Sequence, residues 1–492
     1  MGKTKKRNKA NDFIITNYGI YNEVTGSSVL LEVDGLKILL DLGLYQNNSL
    51  SGKEGFVVNV KSKHGIPFHE LDAVIVTHMH ADHCGMLPIL LRPDVDFKGG
   101  IYVTEPTAPL ISTVCCDSAF IQSEVVKAHN RKNPKNELYP IYTIDEAEQI
   151  IKHLRGYRYN EQIWLNDRVY FEFIPNGHIF GSASVYLTYM IDEYTTRRLL
   201  FTGDYNYNPK IPRSFTKGWD VNRILEPNVV ITESTYGDKL HTWIEPEQLL
   251  EQYVIDEVIN KGQVLIMPAF SIGRSTQLLS MMKHIYDNNK VLVDRKIPIY
   301  FCGKMTQKAH SILGNQYYAQ HFVDERWLKD YDVFNWGRVQ KVDNFNDLES
   351  LTDKQPKIII TSGGMGSGYS SYLLQQLVNK PWCSILASGY ASQGTPVHTI
   401  LSAKEEGRTI VSIQGKQYKL KANVLKPLEM SGHADYKQMC QLLTKGCDQN
   451  KLTDVIIIHG DEEAKANLKE EILKRNRDVN VTIAIPKNSV KC

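Results

Sequence analysis

The stretch DAVIVTHMHADHCGML, residues 72–87, constrains the fold more than any other part of the chain. It begins with a β-branched run, residues 73–76, that is typical of a buried strand. Four side chains able to bind metal follow within six positions: His78, His80, Asp82 and His83. Imidazole and carboxylate are the ligands that zinc takes in catalytic sites. The alternative is a set of polar residues in a surface loop, but this spacing directly after a strand favours a metal site.

The order of these four residues predicts two neighbouring ions. Side chains two positions apart in an extended segment point the same way, so His78 and His80 can reach one ion. Asp82 and His83 lie where the chain turns and can address a second ion close by.

Residues of the same chemical type stand at the ends of other apolar runs. They are Asp41 after KILL, His178 after VYFEFIPNG, Asp204 after LLFTG, Glu233 after VVIT and His459 after VIII. Any one of them alone would be an ordinary turn residue. The ends of strands in an α/β sheet gather at one edge, where sites are built, so the set predicts a single site beside the histidine array.

The rest of the chain alternates strand and helix signals. VLLEV and KILLDLG predict an early hairpin, and RVYFEFIPNGH, SVYLTYMID and RRLLFTGD predict three consecutive strands. After Glu233 the pattern changes to strand–helix units, such as QVLIMPAF followed by GRSTQLLSMMKHIY. Such units predict a doubly wound parallel sheet in the middle of the chain. A length of 492 residues predicts two domains, or three at most.

Charge and cysteine usage narrow the class of protein. The formal net charge is only +2, so a polyanionic partner would need basic contacts that are gathered locally. The eight cysteines include the adjacent Cys115 and Cys116 and show no Cys-x-x-Cys spacing, which indicates reduced thiols and a cytoplasmic location. No apolar run reaches about 18 residues, so we expect no membrane span. The basic start, residues 1–12, predicts a flexible tail, and contact of this tail with RNA stays open.

The ordered set Asp41, His78-x-His80-x-Asp82-His83, His178 and Asp204 resembles the metallo-β-lactamase superfamily. The later segments VITESTYGD, MPAFSIGRSTQLL, SGGMGSG, GYASQGT, EMSGHAD and IIIHGDEEA resemble its β-CASP branch of nucleic-acid-processing nucleases, which includes RNase J and the mRNA 3′-end cleavage endonuclease. This resemblance implies an α/β fold. An αββα metallo-β-lactamase sandwich would occupy residues 13–237 and 428–492, with an inserted doubly wound parallel-sheet β-CASP domain at 238–427.

The resemblance also implies a centre of two zinc ions. It implies that the first ion is bound by His78, His80 and His178. The second ion would be bound by Asp82, His83 and His459, and Asp204 would bridge the two. Asp41 would hydrogen-bond within the ligand shell and orient it.

Two further residues match catalytic positions of the family. His433, in EMSGHAD, matches the position near the leaving oxygen, where an imidazole can donate a proton. Glu233 matches the acidic residue that pairs with this histidine. The chain departs from the family at Gln277, where Glu is frequent.

Two glycine-rich turns predict contacts with RNA phosphates. AFSIGRSTQLL offers Arg274, and TSGGMGSGYSSYLL offers Ser362, Gly363, Gly364 and Ser367 at the start of a helix. Backbone N–H groups at a helix N-terminus can hold a phosphate. Ordinary tight turns are the alternative, and the resemblance favours phosphate contact.

These observations together predict a zinc-dependent ribonuclease that acts on single-stranded RNA. The segments GYASQGT and SGGMGSG favour an endonuclease, and a 5′-to-3′ exoribonuclease stays open. A small-substrate hydrolase would not need the nearly two hundred residues between Glu233 and His433. An inactive scaffold subunit usually loses ligands, and DNA-directed members of the family tend to lack the histidine present here as His459. A homodimer stays open.

Overall fold

The computed structural model describes residues 12–46, 52–207, 213–242, 245–363, 368–389, 391 and 393–492. These residues form two compact units, each described here by itself. The first unit contains the described residues up to 207, together with 216–240 and 432–492, and the second contains 213–215 and 241–431. The domain boundaries predicted from the sequence lie after residues 237 and 427, a few positions earlier in each case. Residues 1–11 of the predicted tail lie outside the described residues.

Residues 213–215 belong to the second unit, although the sequence places them in the first. Arg213 is buried and pairs with Glu247 at 2.9 Å and with Asp330 at 2.7 Å. The Phe215 ring lies 5.9 Å from the Tyr331 ring. These contacts, two of them over more than a hundred positions, draw the short segment into the second unit, and the local sequence pattern does not predict them.

The first unit contains two sheets, with strands numbered in chain order over the whole protein. The first sheet has the order β22-β1-β2-β3-β4-β5-β6 and the second the order β21-β20-β11-β10-β9-β8-β7. The strands of the first sheet are β1 (Ile14–Asn17), β2 (Val29–Val33), β3 (Leu36–Leu40), β4 (Ala73–Ile75), β5 (Gly100–Thr104), β6 (Leu154–Tyr157) and β22 (Ser489–Lys491). Those of the second are β7 (Ile163–Trp164), β8 (Val169–Pro175), β9 (Ala183–Met190), β10 (Thr196–Phe201), β11 (Val229–Thr232), β20 (Asp454–Ile457) and β21 (Asn480–Ile483). The early hairpin is confirmed as β2–β3, and the three consecutive strands are confirmed as β8–β10.

Helices flank these two sheets. They are α1 (Gly52–Lys63), α2 (Ala81–Cys84), α3 (Thr107–Lys132), α4 (Ile144–Gln149), α12 (Tyr436–Gln441) and α13 (Glu462–Arg475), with 3₁₀ turns at Phe68–Glu70, Leu87–Leu91 and Ile150–His153 and a π-helical turn at Leu442–Gly446. α3 packs against β5 and β6. Met439 of α12 and Leu468 of α13 share a buried core with Val230 of β11. Between the sheets, the ring of Tyr102 lies 5.6 Å from that of Phe171. This is the αββα arrangement.

The second unit is built on a parallel sheet with the order β14-β13-β15-β12-β16-β19. Its strands are β12 (Val264–Pro268), β13 (Ile299–Cys302), β14 (Val339–Val342), β15 (Lys357–Thr361), β16 (Cys383–Ile385) and β19 (Asn423–Val424), and an antiparallel hairpin adds β17 (Ile410–Ile413) and β18 (Lys416–Lys419). β12 and β15 are buried along their whole length, which is why they read as continuous apolar runs in the sequence. The chain winds outward from β12 to β14 and then from β15 to β19, which confirms the doubly wound prediction.

The helices of the second unit lie between these strands in sequence. They are α5 (Pro246–Tyr253), α6 (Arg274–Asn288), α7 (Lys290–Arg295), α8 (Lys304–Leu313), α9 (Gln316–Phe322), α10 (Gly368–Leu377) and α11 (Pro396–Glu405). A π-helical stretch, Val254–Asn260, continues α5, and 3₁₀ segments span Glu325–Asn335 and Phe345–Thr352. None of the helices in the described part of the chain combines the length and the apolar character needed to cross a bilayer.

Candidate metal centre

The metal-binding side chains collect where strands of the first unit end. β8, β10, β11 and β20 run in the same direction, because β8 and β10 both pair antiparallel with β9 and the other two pair in parallel. Their carboxyl ends therefore share one edge, and that edge carries His178, Asp204, Glu233 and His459. The other sheet contributes Asp41 after β3 and the histidine array after β4. The single site predicted from strand ends is therefore formed by both sheets.

One ligand group consists of His78, His80, His178 and Asp204. One nitrogen or oxygen atom from each residue lies within 4.8 Å of the others. Nδ1 of His80 is 3.1 Å from Nε2 of His78 and 3.2 Å from Nε2 of His178. Oδ2 of Asp204 is 3.7 Å from His78 Nε2 and 3.8 Å from His178 Nε2.

A second ligand group consists of Asp82, His83, Asp204 and His459, with the same 4.8 Å limit between ligand atoms. Oδ1 of Asp204 is 3.2 Å from His83 Nε2 and 3.4 Å from His459 Nε2. Asp82 Oδ2 lies 3.8 Å from His83 Nε2. Asp204 therefore faces the first group with one oxygen and the second group with the other.

Hydrogen bonds behind the ligands fix which nitrogen of each ring faces inward. The Thr77 hydroxyl donates to Asp41 and accepts from Nδ1–H of His78 at 3.0 Å, which leaves His78 Nε2 to face the site. Nδ1–H of His83 donates to Asp41 Oδ2 at 2.7 Å. Nδ1–H of His178 donates to the carbonyl of Gly432 at 3.0 Å. Such partners hold metal-binding imidazoles in one tautomer and one orientation.

The backbone also directs two of these side chains. Asp41 has a φ of 60° and His459 a φ of 47°, in the left-handed region that most side chains avoid. Strained residues of this kind cluster at functional sites, where the surrounding structure holds them in place. Asp41 is held by the backbone N–H of Thr77, which donates to its Oδ1 at 2.8 Å.

The residues present fit a metal ion. His83 Nε2 and Asp204 Oδ1 are both buried, and neither makes a hydrogen bond within the described part of the chain. A cation between them would satisfy both atoms, which are otherwise costly to bury. Zinc–nitrogen bonds of about 2.0–2.1 Å in a tetrahedral arrangement place ligand atoms roughly 3.3 Å apart. The nitrogen separations of 3.1 and 3.2 Å around His80 match that spacing, so these residues fit a bound metal ion.

The ionisation of the site agrees with this interpretation. Burial lowers the pKa of His78 well below its ordinary value, and the neighbouring imidazoles lower it further, so His78 is neutral, as a ligand must be. Burial alone would raise the pKa of Asp204, but the imidazoles of His83 and His459 hold it well below its usual range. Burial alone would lower the pKa of His83, but the Asp204 and Asp41 carboxylates raise it well above its ordinary value.

Glu233 and His433 form a pair at the rim of the ligand groups. His433 Nδ1 is 2.9 and 3.0 Å from the two oxygens of Glu233, and 4.0 Å from Asp204 Oδ2. The backbone N–H of Tyr205 donates to Glu233 at 2.9 Å, so this carboxylate is held by protein groups. Burial alone would lower the pKa of His433, but Glu233 and then Asp204 raise it to about 9. His433 is therefore an imidazolium at neutral pH.

The predicted phosphate contacts lie in the second unit. Arg274 begins α6, and its guanidinium donates to the carbonyl of Met430 and, at 2.6 Å, to Gln277 Oε1. Ser362 is buried at the end of β15, next to Gly363. Gly364 and Ser367 lie outside the described residues. The two predicted turns are neighbours, because the backbone N–H of Ala269 after β12 donates to the carbonyl of Thr361 in β15 at 3.0 Å.

Thr77 and Gly432 position the centre, and sequence reasoning missed both. Thr77 directly precedes His78 in the histidine array, and a hydroxyl beside a ligand was an available signal. Gly432 acts through its carbonyl, which any residue possesses, so no signal in the sequence marks it. A side chain at Gly432 would also meet the His178 carbonyl oxygen at 2.8 Å, so only glycine fits there. Cys84, next to His83, is buried with its thiol facing the carbonyl of Met79, outside both ligand groups.

Three family models match consecutive parts of the chain. The model described as Anti-Pycsar protein Apyc1 matches residues 16–251, which contain Asp41, His78, His178, Asp204 and Glu233. The Beta-Casp domain matches residues 276–400. The Zn-dependent metallo-hydrolase RNA specificity domain matches residues 417–484, which contain His433 and His459.

Curated proteins resemble nearly the whole chain. Cleavage and polyadenylation specificity factor 73 of Drosophila melanogaster is 26% identical over 92% of this chain and 60% of its own length. Endoribonuclease ysh1 of Schizosaccharomyces pombe is 27% identical over 96% of this chain and 58% of its own. The RNase J-like protein of Methanocaldococcus jannaschii is 27% identical over 90% of this chain and 91% of its own. The chain thus spans about three fifths of the length of the first two relatives.

A solved structure shares the fold. The crystal structure of a protein of unknown function from Enterococcus faecalis V583 has a TM-score of 0.57 at 12% identity, and the match covers 98% of this chain and 100% of the other. At this identity the likeness concerns the fold alone.

Proposed function

The chain belongs to the β-CASP branch of the metallo-β-lactamase superfamily, and on that premise we propose that it is a zinc-dependent nuclease that hydrolyses phosphodiester bonds of single-stranded RNA. One observation carries the proposal. Two ligand groups share Asp204, and the Glu233–His433 pair lies directly beside them. A metal centre together with a charged imidazole supplies the two things that phosphodiester hydrolysis needs: activation of water, and a proton for the leaving oxygen.

We propose that the two groups hold one zinc ion each. His78, His80 and His178 would hold the first ion, Asp82, His83 and His459 would hold the second, and Asp204 would serve both. Zinc bound there supplies Lewis-acid activation of water and neutralises charge on the phosphate oxygens. Asp41 keeps His83 in the tautomer that binds metal and supports His78 through Thr77.

His433 is the proposed proton donor to the leaving oxygen. Its Nδ1 faces Glu233, so Nε2 is the atom that donates. A pKa of about 9 keeps His433 charged at neutral pH, and the Glu233 carboxylate then stabilises the imidazolium until its proton is transferred.

RNA is the substrate that the relatives favour. The Schizosaccharomyces pombe relative is named an endoribonuclease, and the model matching residues 417–484 is named for RNA specificity. Cleavage within the strand is the proposed mode, with 5′-to-3′ exonuclease action as the alternative. The filled ligand positions argue against a metal-free scaffold. The cytoplasmic location and the homodimer stay predictions.

Two measurements test the proposal together. Elemental analysis of the purified protein should find two zinc ions per chain. Covalently closed circular RNA should be opened, because a circle offers no end to an exonuclease, and 5′-labelled linear RNA should yield internal fragments. Protein that holds no zinc after mild purification, and that stays inactive when zinc is added, would contradict the proposal. Circles that stay intact while linear RNA is degraded from its 5′ end would favour the exonuclease.

A further inference from the structure

The second unit contains a cavity that plays no part in the metal centre. Its volume is about 280 Å³, and it lies among α6, β13, α8, β14 and the 3₁₀ segment before β14. Aromatic rings and two polar side chains line it, namely Phe301, His310, Phe334, Trp336, Asn335 and Lys341. None of these residues belongs to the ligand groups described above.

The inner wall of this cavity is aromatic and rigid. Phe301, His310 and Phe334 are buried. The His310 ring lies 5.3 Å from the Phe301 ring and 4.6 Å from the Phe334 ring. Phe334 in turn packs on Phe215 at 5.7 Å. Walls held in this way by ring contacts are suited to a flat, unsaturated ligand.

The mouth of the cavity is polar and carries one positive charge. Asn335 and Lys341 are exposed, and Trp336 is half-buried against Tyr286, with its ring 5.6 Å from that of Tyr286. Within the described ranges no carboxylate lies at ion-pair distance from the Lys341 ammonium. An amide offers both a donor and an acceptor to the edge of a base, and an unpaired ammonium attracts an anion.

The interior of the cavity carries no charge. Burial, and then the Lys341 ammonium, lower the pKa of His310 to about 4, so this imidazole is neutral. A ligand that fits the cavity therefore has an uncharged part that lies against the buried rings. It also has an anionic part that lies at the mouth, beside Lys341. The volume is slightly below the range of about 300–1,000 Å³ typical of pockets for drug-sized molecules, which suits a single nucleotide and excludes a duplex.

We propose that this cavity binds one nucleotide, with its base against Trp336 and its phosphate at Lys341. Stacking of bases on aromatic side chains is how proteins hold single-stranded nucleic acid with little sequence preference. The nucleotide can come from an RNA strand or be free in solution. Its assignment to RNA rests on the proposed function, whereas the base-and-phosphate chemistry of the cavity does not.

Adenosine 5′-monophosphate is the probe, because it has no internal phosphodiester to be cut. Binding should be followed by calorimetry and by quenching of tryptophan fluorescence. Ribose 5-phosphate, which has the phosphate and lacks the base, should bind much more weakly. Trp336→Leu should weaken binding of the nucleotide roughly 5-fold or more because it removes base stacking, and Trp336→Phe should keep binding and lose the quench. Equal binding of the two probes, or full affinity in Trp336→Leu, would overturn the proposal.

Lys341→Gln is the safer variant, because its side chain is exposed. It should weaken nucleotide binding by up to about 5-fold. Lys354→Gln removes the same charge from an exposed position of the same unit that does not line the cavity, and it should have no effect. Equal effects of the two substitutions would mean that Lys341 acts only through the overall charge of the protein. That result would contradict the proposed phosphate contact at Lys341.

A competition experiment separates the two sources of the nucleotide. A short single-stranded RNA added to the nucleotide-bound protein should reverse the quench if RNA bases enter the cavity. Failure to compete would overturn the RNA assignment and identify a site for free nucleotide. If the protein binds the nucleotide but cuts no RNA, the nucleotide site is supported and the proposed function is contradicted. If it cuts RNA but does not bind the nucleotide, only the proposed nucleotide site is contradicted.

Discussion

Two edges of parallel strands in this protein carry different kinds of site. At the carboxyl edge of the first unit, five histidines and Asp82 converge on Asp204, and most of these side chains are buried. At the carboxyl edge of the second unit, the corresponding turns offer hydroxyls, glycines and Arg274. Both edges lie at the carboxyl ends of parallel strands, which is where ligands collect in α/β sheets.

The two edges differ in whether their charged side chains have hydrogen-bond partners in the described structure. His83 Nε2 and Asp204 Oδ1 are buried without hydrogen bonds inside the described structure, so the first edge is incomplete without a cation. Arg274 already donates to Met430 and Gln277, so its guanidinium is held by protein groups. A pair of buried ligand atoms without partners indicates a bound cation, whereas a satisfied group indicates support or weak binding.

The largest effect is expected from Asp204→Asn. The change removes the charge that both ligand groups share, so zinc should be lost from both and RNA cleavage should fall to background. RNA binding should persist, because phosphate contacts and not the metals carry the affinity. Elemental analysis, a cleavage assay and a binding titration measure the three quantities, with Asp167→Asn as an exposed control. A variant that keeps both ions would show that Asp204 does not hold the groups together.

His433→Ala and His459→Ala should differ in kind. His433 meets Glu233 and Asp204 through Nδ1 and lies in neither of the two zinc ligand groups, so its removal should leave both zinc ions and slow cleavage roughly 10²–10⁴-fold. The loss should shrink for a p-nitrophenyl phosphodiester, whose leaving group needs no proton. His459 belongs to a ligand group, so its removal should lower zinc content. If His433→Ala loses zinc while His459→Ala retains it, the two roles are exchanged.

Glu233→Gln should change the pH dependence of cleavage. The Glu233 carboxylate is the main group that raises the pKa of His433, against burial, to about 9. Without that charge the pKa should fall, so His433 should lose its proton at lower pH. The alkaline decline of kcat/KM should therefore begin at lower pH in the variant, and activity in mild acid should be less affected. A profile that keeps its shape while its height falls would mean that Glu233 only orients the ring.

The sequence predicted the ligand groups because each ligand follows an apolar strand. His178, Asp204 and His459 stand where an alternating or continuous apolar run stops, and strand direction then brings them together. The roles of Thr77 and Gly432 were not predictable in this way. Gly432 meets His178 across 254 positions through a backbone carbonyl, and no residue type announces such a contact.

The same limit applies to the boundaries of the two units. The inserted segment was visible as a change to strand–helix repeats after Glu233. The transfer of residues 213–215 to the second unit depends on Arg213 pairing with Asp330 and on Phe215 packing against Tyr331. These contacts form only in the folded chain, so hydrophobic periodicity and turn signals in the sequence do not predict them.

The smallest effect is expected from Arg274→Gln. This substitution tests whether Arg274 contacts an RNA phosphate or only holds the backbone at Met430. A guanidinium has five N–H donors, and the Arg274 guanidinium donates to the Met430 carbonyl and to Gln277 Oε1. If Arg274 contacts RNA, affinity should fall by up to about 5-fold, with kcat unchanged at saturating RNA. The slope of log affinity against log salt should also shrink by about 0.7, the value for one phosphate contact on a single strand. Arg408→Gln, at an exposed arginine paired with Glu406, is the matched control. An unchanged slope together with a lower Tm would mean that Arg274 holds the backbone at Met430 and does not contact RNA. Any phosphate contact at the second edge would then come from its backbone N–H groups.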